Sequence, residues 1–227
     1  MSVVREELGP SLPQLLEPRW RALSRGRRIA VVVVLAGAVL VLAAAYLVAT
    51  SGSLKTEVVR GDGVAFTLVH RGDFDPVKPR AGELLRLEGT LPGASGAREE
   101  FAVKPLTVPP YTGDISSAYP LLATRRFAEL KAADPQVSYR GEGRARLNET
   151  TIGYQLVYQT RRDGKLLYGK LFFIAPTPAD GQPQSRAGLE LSLLAERSGQ
   201  TPTAAAVGAD VLLNNPLRSL RFGTKRP

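Results

Sequence analysis

Residues Thr151–Ile174 read TIGYQLVYQTRRDGKLLYGKLFFI, and the alternation within them decides the fold of the larger part of the chain. Asp163-Gly164 is a two-residue turn signal, because the tightest hairpin turn needs positive φ at both central positions. Closing the chain there pairs Arg162 with Lys165 and fixes every pair upstream. Tyr154, Leu156, Tyr158 and Thr160 then share a face with Phe173, Leu171, Gly169 and Leu167. That face is almost wholly apolar, so it is the expected core face. Gly169 opposite Tyr158 leaves a gap across which the ring can lie. The reverse face, with Gln155, Val157, Gln159, Tyr168, Lys170 and Phe172, is mixed: it either meets water or takes a helix that leaves only its rim wet.

Working outward, Gly188–Leu194 alternates leucines with Glu190 and Ser192, and Gly143–Leu147 alternates Ala145 and Leu147 with Arg144 and Arg146. Both suit an antiparallel sheet with one apolar and one partly polar face. Upstream, Gly63–His70 and Glu83–Leu91 read as strands and Phe101–Val103 as a shorter one. A helix is expected over Tyr119–Ala133, capped by Ser117, with Pro120 in its first turn and Asp134-Pro135 at its end. A second should start at Thr201-Pro202 and stop at Asn214-Asn215-Pro216. Strands in series with helices packed on them make an α+β domain.

The other half of the architecture lies near the N-terminus. Ile29–Thr50, IAVVVVLAGAVLVLAAAYLVAT, holds 22 residues without a charge or a proline. As a helix it reaches about 33 Å, enough for a hydrocarbon core of about 30 Å. Arg19, Arg21, Arg25, Arg27 and Arg28 precede it, which places the N-terminus in the cytoplasm. The apolar run is longer than a cleaved secretory signal usually has, so an uncleaved signal-anchor is expected. The expected organisation is a basic cytoplasmic tail (1–28), a transmembrane helix (29–50), a juxtamembrane linker (51–60) and an extracytoplasmic α+β domain (61–227). Beyond residue 50 there remain 24 basic and 18 acidic residues. That excess favours anionic neighbours, a lipid surface or an acidic envelope polymer, with nucleic acid excluded by location.

Composition removes many chemistries. The chain has no cysteine and one histidine, so thiol nucleophiles, zinc ribbons, iron–sulfur clusters and two-histidine metal helices are ruled out. No S-x-x-K, G-x-S-x-G, phosphate-loop or EF-hand pattern occurs. His70, followed by Asp73 and Asp75, could form an acid/base pair or bind a metal; the plainer reading is a strand end and a turn. Arg-Gly-Asp at 60–62 and 71–73 is ordinary turn chemistry before it is an adhesion signal. Asn148-Glu149-Thr150 fits a glycosylation sequon, discounted because the composition looks bacterial.

Three stretches carry a resemblance: TIGYQLVYQTRRDGKLLYGKLFFIAP, then AGLELSLLAERSG, then NNPLRSLRFG after a helical segment. Together they resemble an uncharacterised group of actinobacterial single-pass membrane proteins. More remotely they are similar to the PsbP-like α/β/α sandwich of LpqN-type mycobacterial envelope lipoproteins, although this chain has a helical anchor in place of a lipidated cysteine. The resemblance implies a non-catalytic binding or assembly module of the cell envelope, without cofactor or metal. A membrane-anchored envelope hydrolase and a lipid-binding domain are the alternatives. The polar sheet face offers Arg144, Arg146, Gln155, Lys170 and Glu190 as the expected binding surface.

Overall fold

The computed structural model describes residues 24–50, 53–61, 63–91, 96–110, 114–149, 151–177 and 185–224. Most of the expected tail (1–23, with Trp20), Asp62 of the first Arg-Gly-Asp and Thr150 of the sequon lie outside them. Two compact units result, Met1–Gly52 and Ser53–Pro227.

In the first unit, helix α1 runs over Arg25–Thr50. Its side chains are described continuously over residues 29–42, and all of these are exposed, Leu40, Leu42 and Val34 to about 70%. Among the described residues no helix is long and apolar enough to cross a membrane; a run of fourteen residues is shorter than a bilayer core.

The second unit is an α+β domain with antiparallel sheets. Seven strands make the larger sheet: β3 (Phe74–Pro76), β4 (Leu85–Thr90), β5 (Arg98–Thr107), β6 (Ser138–Arg146), β7 (Ile152–Arg162), β8 (Lys165–Ile174) and β9 (Ala187–Glu196), in the spatial order β3-β4-β5-β9-β8-β7-β6. A smaller sheet has β1 (Leu54–Gly61), β2 (Val64–Arg71) and β10 (Arg221–Phe222), with β2 in the middle. Helices α2 (Tyr119–Ala133) and α3 (Val211–Ser219) complete the unit.

The central hairpin has the expected register. Arg162 pairs with Lys165, Tyr158 with Gly169 and Tyr154 with Phe173. Asp163 and Gly164 take φ of 53° and 77°, the two positive values that the turn requires. Tyr158 does lie over Gly169: a Cβ there would sit 2.1 Å from the ring.

Both faces of the β7–β8 hairpin carry core residues, which corrects the expectation that its reverse face is the partly polar one. On the first face Leu156, Tyr158, Leu167, Leu171, Phe173 and Leu194 pack with Tyr119 and Ala123 of α2. On the second, Val157, Tyr168, Phe172, Leu189, Leu191 and Leu193 pack with Phe66 and Leu68 of β2 and with Leu212, Leu213 and Leu217 of α3. Leu189, Leu191 and Leu193 therefore point away from α2, because each pairs with a reverse-face residue of β8. The smaller sheet and α3 cover the mixed face, and Gln155, Gln159 and Lys170 stay half-buried.

Other boundaries move for local reasons. β1 begins at Leu54, inside the stretch expected to be a linker, because it pairs with β2 from Leu54↔Arg71 to Gly61↔Val64. Asp114, not Ser117, makes the first cap: its carboxylate accepts from Ser116 N and starts a 3-10 turn over Ile115–Ser117 that leads into α2. The expected second helix is a 3-10 turn at Ala204–Ala206 followed by α3, which Asp210 caps through the N–H groups of Leu212 and Leu213. Pro216 lies inside α3 and does not stop it. A helix-interior proline costs about 3 kcal/mol, and burial of Leu212, Leu213 and Leu217 at about 1.5–3 kcal/mol each offsets it.

Candidate binding surface

Helix α2 packs chiefly on β7, β6 and β8, so the same face of the sheet continues past it across β9, β5 and β4 without a covering element. Alternation brings Glu190, Ser192 and Glu196 of β9, Glu100, Ala102 and Lys104 of β5, and Arg86 and Glu88 of β4 to that open half. Long charged side chains seal it, their stems lying over the apolar surface beneath.

Arg86 is the centre of this layer. It is 4% exposed and holds three carboxylates: Glu83 at 3.1 Å, Glu88 at 2.8 Å, and Glu100. A buried guanidinium needs such partners, since an uncompensated charge there would be expensive. Burial alone would lower its pKa; the bond to Glu88 and the fields of Glu100 and Glu83 outweigh that and raise it. The same bond from Arg86 holds the Glu88 carboxyl below its usual range, against its own burial, with help from Arg98 at 2.5 Å. Arg162 and Arg80 reach Glu100 at 3.5 and 3.7 Å from the rim.

A cavity of about 560 Å³ borders Glu88 and Arg98 at the β4 edge, and two more flank the layer. One, of about 320 Å³ beside the hairpin turn, has Leu167 and Leu194 as its floor and Arg98, Glu100, Arg162, Lys165 and Glu196 around it. Lys165 and Glu196 are 3.0 Å apart. The other, of about 200 Å³, lies against α2 between Leu106, Leu122 and Phe173 and is closed by Arg126, which meets Glu190 at 3.0 Å and Glu129 at 2.7 Å. Nearby, burial and then the field of Glu190 push the Tyr158 hydroxyl up to about 12, so it stays protonated. These groups can hold a ligand carrying both charge signs.

The five residues expected to form one surface are divided by the sheet. Arg144, Arg146 and Glu190 belong to the face of α2, Gln155 and Lys170 to the opposite face. Glu190 joins the open half through Arg126. Arg144 is exposed on the edge strand β6, 3.3 Å from Ser116 Oγ, and lines a cavity of about 530 Å³ with Tyr119 and Ile152. Arg146 donates to the Glu149 carbonyl at 3.2 Å. Gln155 is half-buried. Lys170 is structural: its Nζ donates to the carbonyls of Ala205 and Val207, both at 2.8 Å, and burial lowers its pKa.

His70 is fully buried and lines none of the described cavities. Its Nδ1 lies 2.8 Å from the Arg71 carbonyl and its Nε2 3.4 Å from Glu57. Asp73 is taken by Arg71 at 2.9 Å. Among the described residues no group of three or more acidic or histidine side chains could hold a metal ion. The charge layer around Arg86 was missed from the sequence. Its signal was present in Leu85-Arg86-Leu87-Glu88, whose alternation puts leucines inward and charges on one outer face.

No protein-family model matches the chain, and no curated protein matches it in sequence. Among solved structures, LpqN, involved in cell envelope biogenesis in Mycobacterium tuberculosis, is similar with a TM-score of 0.44 and 16% identity, over 75% of this chain and 92% of that one. PA94 of Pseudomonas aeruginosa, of unknown function, has a TM-score of 0.34 and 15% identity, over 61% of this chain and 81% of its own. The expected remote likeness to the LpqN type thus has a counterpart among solved structures. At these scores neither likeness carries an argument about function, and neither bears on the actinobacterial single-pass group.

Proposed function

We propose that this chain is a single-pass membrane protein of the cell envelope, with its N-terminus cytoplasmic and Ser53–Pro227 outside, where the domain binds an envelope component without catalysis. The observation that carries the reading is the apolar block Ile29–Thr50 inside one continuous helix, exposed at every described position from 29 to 42. A helix apolar on all sides needs lipid or protein around it, and the arginines before it set the direction. The binding role draws on the open half of the sheet, where a charge layer lies between two cavities and the single histidine is buried elsewhere.

Alkaline carbonate extraction of membranes tests the anchor. The full-length protein should stay in the pellet, with the domain cleaved by protease only from outside. Release into the carbonate supernatant would remove the reading.

A further inference from the structure

Arginines of the domain differ in their partners, and Arg186, for one, meets a carbonyl, that of Val108 at 2.9 Å. Arg71, Arg86, Arg98, Arg126 and Arg162 each meet a carboxylate. Arg146, Arg218 and Arg221 are held by carbonyls instead. Arg218 Nη1 donates to the carbonyls of Arg146 and Leu147 at 3.2 and 2.8 Å. Arg221 Nη1 donates to those of Arg218 and Leu220, both at 3.3 Å, and Arg146 Nη2 to that of Glu149. A carbonyl orients a guanidinium without neutralising it, and each guanidinium has five N–H donors. Among the described residues none of the three forms an ion pair, and their partners lie in two short stretches, 146–149 and 218–220, joined by the bond from Asn148 Nδ2 to the Leu220 carbonyl at 2.9 Å.

Beside them lies a cavity of about 370 Å³ walled by Leu54 and Val69, with Arg218, Asn215 and Ser219 at its margin. Ser219 Oγ is already engaged: it accepts from Val69 N at 2.8 Å and donates to the Asn215 carbonyl at 2.6 Å. The wall left for a visitor is apolar, and Leu54 is 64% exposed. An apolar wall with the Arg218 guanidinium at its margin fits an amphiphile whose head is a phosphate, the group that a guanidinium grips through two parallel bonds.

The chain itself says which amphiphile is near. Leu54 follows Thr50, the last residue of α1, by four positions, a tether of at most about 14 Å. The interfacial layer of a bilayer is about 5–8 Å thick on each side. We infer that this end of the domain is a phospholipid-headgroup site, at which Arg146, Arg218 and Arg221 take lipid phosphates while Leu54 and Val69 meet the glycerol and upper acyl region. The inference rests on the membrane reading above. A second copy of this chain is the poorer occupant, because the excess of basic residues beyond position 50 makes two domains repel.

The test uses the full-length chain in lipid nanodiscs made of phosphatidylcholine, with or without phosphatidylglycerol, and reads amide exchange over 146–149 and 215–221. With phosphatidylglycerol, exchange should slow by about ten-fold and recover in high salt. Combining Arg146→Gln, Arg218→Gln and Arg221→Gln should abolish the slowing, and lysines at the three positions should restore most of it. If the glutamine variant does not fold, the wild-type comparison of the two lipids still decides. Equal exchange in both lipids overturns the site. So does slowing that inorganic phosphate reproduces in phosphatidylcholine discs, which would mark a soluble-phosphate site, or an added acidic protein, which would mark a protein site. Failure of the anchor itself reads out separately, as protein that does not co-elute with the discs.

Discussion

Glu99 and Glu100 are neighbours in sequence and opposites in role. Strand alternation sends Glu100 to the open charge layer and Glu99 into the core, where it is 0% exposed beside Asp210. Neither Glu99 oxygen, nor Asp210 Oδ2, meets a donor from elsewhere among the described residues. One proton between the two carboxyls pairs one oxygen of each. Burial first, and then Asp210, push the Glu99 carboxyl up to about 10. The native state therefore keeps a proton between roughly pH 4.5 and 10 that the unfolded chain releases, so stability falls as pH rises through that window, by up to about 1.4 kcal/mol per unit. Glu99→Gln removes this dependence: the variant should melt higher than wild type at pH 9 and gain little at pH 5. Parallel melting profiles across pH would contradict the shared proton. Gly169 is a second residue-scale case. A methyl there drives into the Tyr158 ring, so Gly169→Ala should cost about 1–3 kcal/mol, read by urea unfolding. Of these two, the glycine was legible in the sequence, because cross-strand register follows from the turn. The buried acid was not, since Arg98-Glu99-Glu100 looks like a solvated run until the strand around it is placed.

At the scale of elements, the hairpin carries the most information. Its turn residues, alternation and register agree with one another, and the structure keeps them all. Replacing Gly164 by valine asks a β-branched residue to adopt φ of 77°; unfolding measurements should show a loss of more than about 1 kcal/mol. A hairpin that tolerated valine without loss would not be turning at Asp163-Gly164. Helix α2 was equally readable, from Tyr119 to Ala133, because proline near its start and Asp134-Pro135 at its end bracket one pattern. Helix α3 was not. Local propensity reads Asn214-Asn215-Pro216 as a stop, whereas buried leucines on either side carry the helix through it. β3 and β10, with three and two residues, are too short for any period to show. β1 is largely exposed, and its strand state comes from its partner β2. Lys170 was legible as a charged residue on a sheet, but its true partners, the carbonyls of Ala205 and Val207, belong to a turn that no local pattern announces.

The whole molecule joins a helix with a charge-free block, Ile29–Thr50, to a domain whose charges are sorted by place. Carboxylates neutralise the arginines on the open half of the larger sheet; carbonyls hold Arg146, Arg218 and Arg221 without neutralising them. The first arrangement suits recognition of a partner with both signs, the second an anionic surface close to the chain's own tether. Charge totals could be counted from the sequence, whereas this division depends on which strands become neighbours. The division has a place only if α1 crosses a bilayer with the domain on the outside. Fusing a reporter after Pro227 tests that most directly: one version folds only outside the cytoplasm, the other fluoresces only within it. The account predicts activity from the external reporter and none from the internal one. Signal from the internal reporter alone would contradict it.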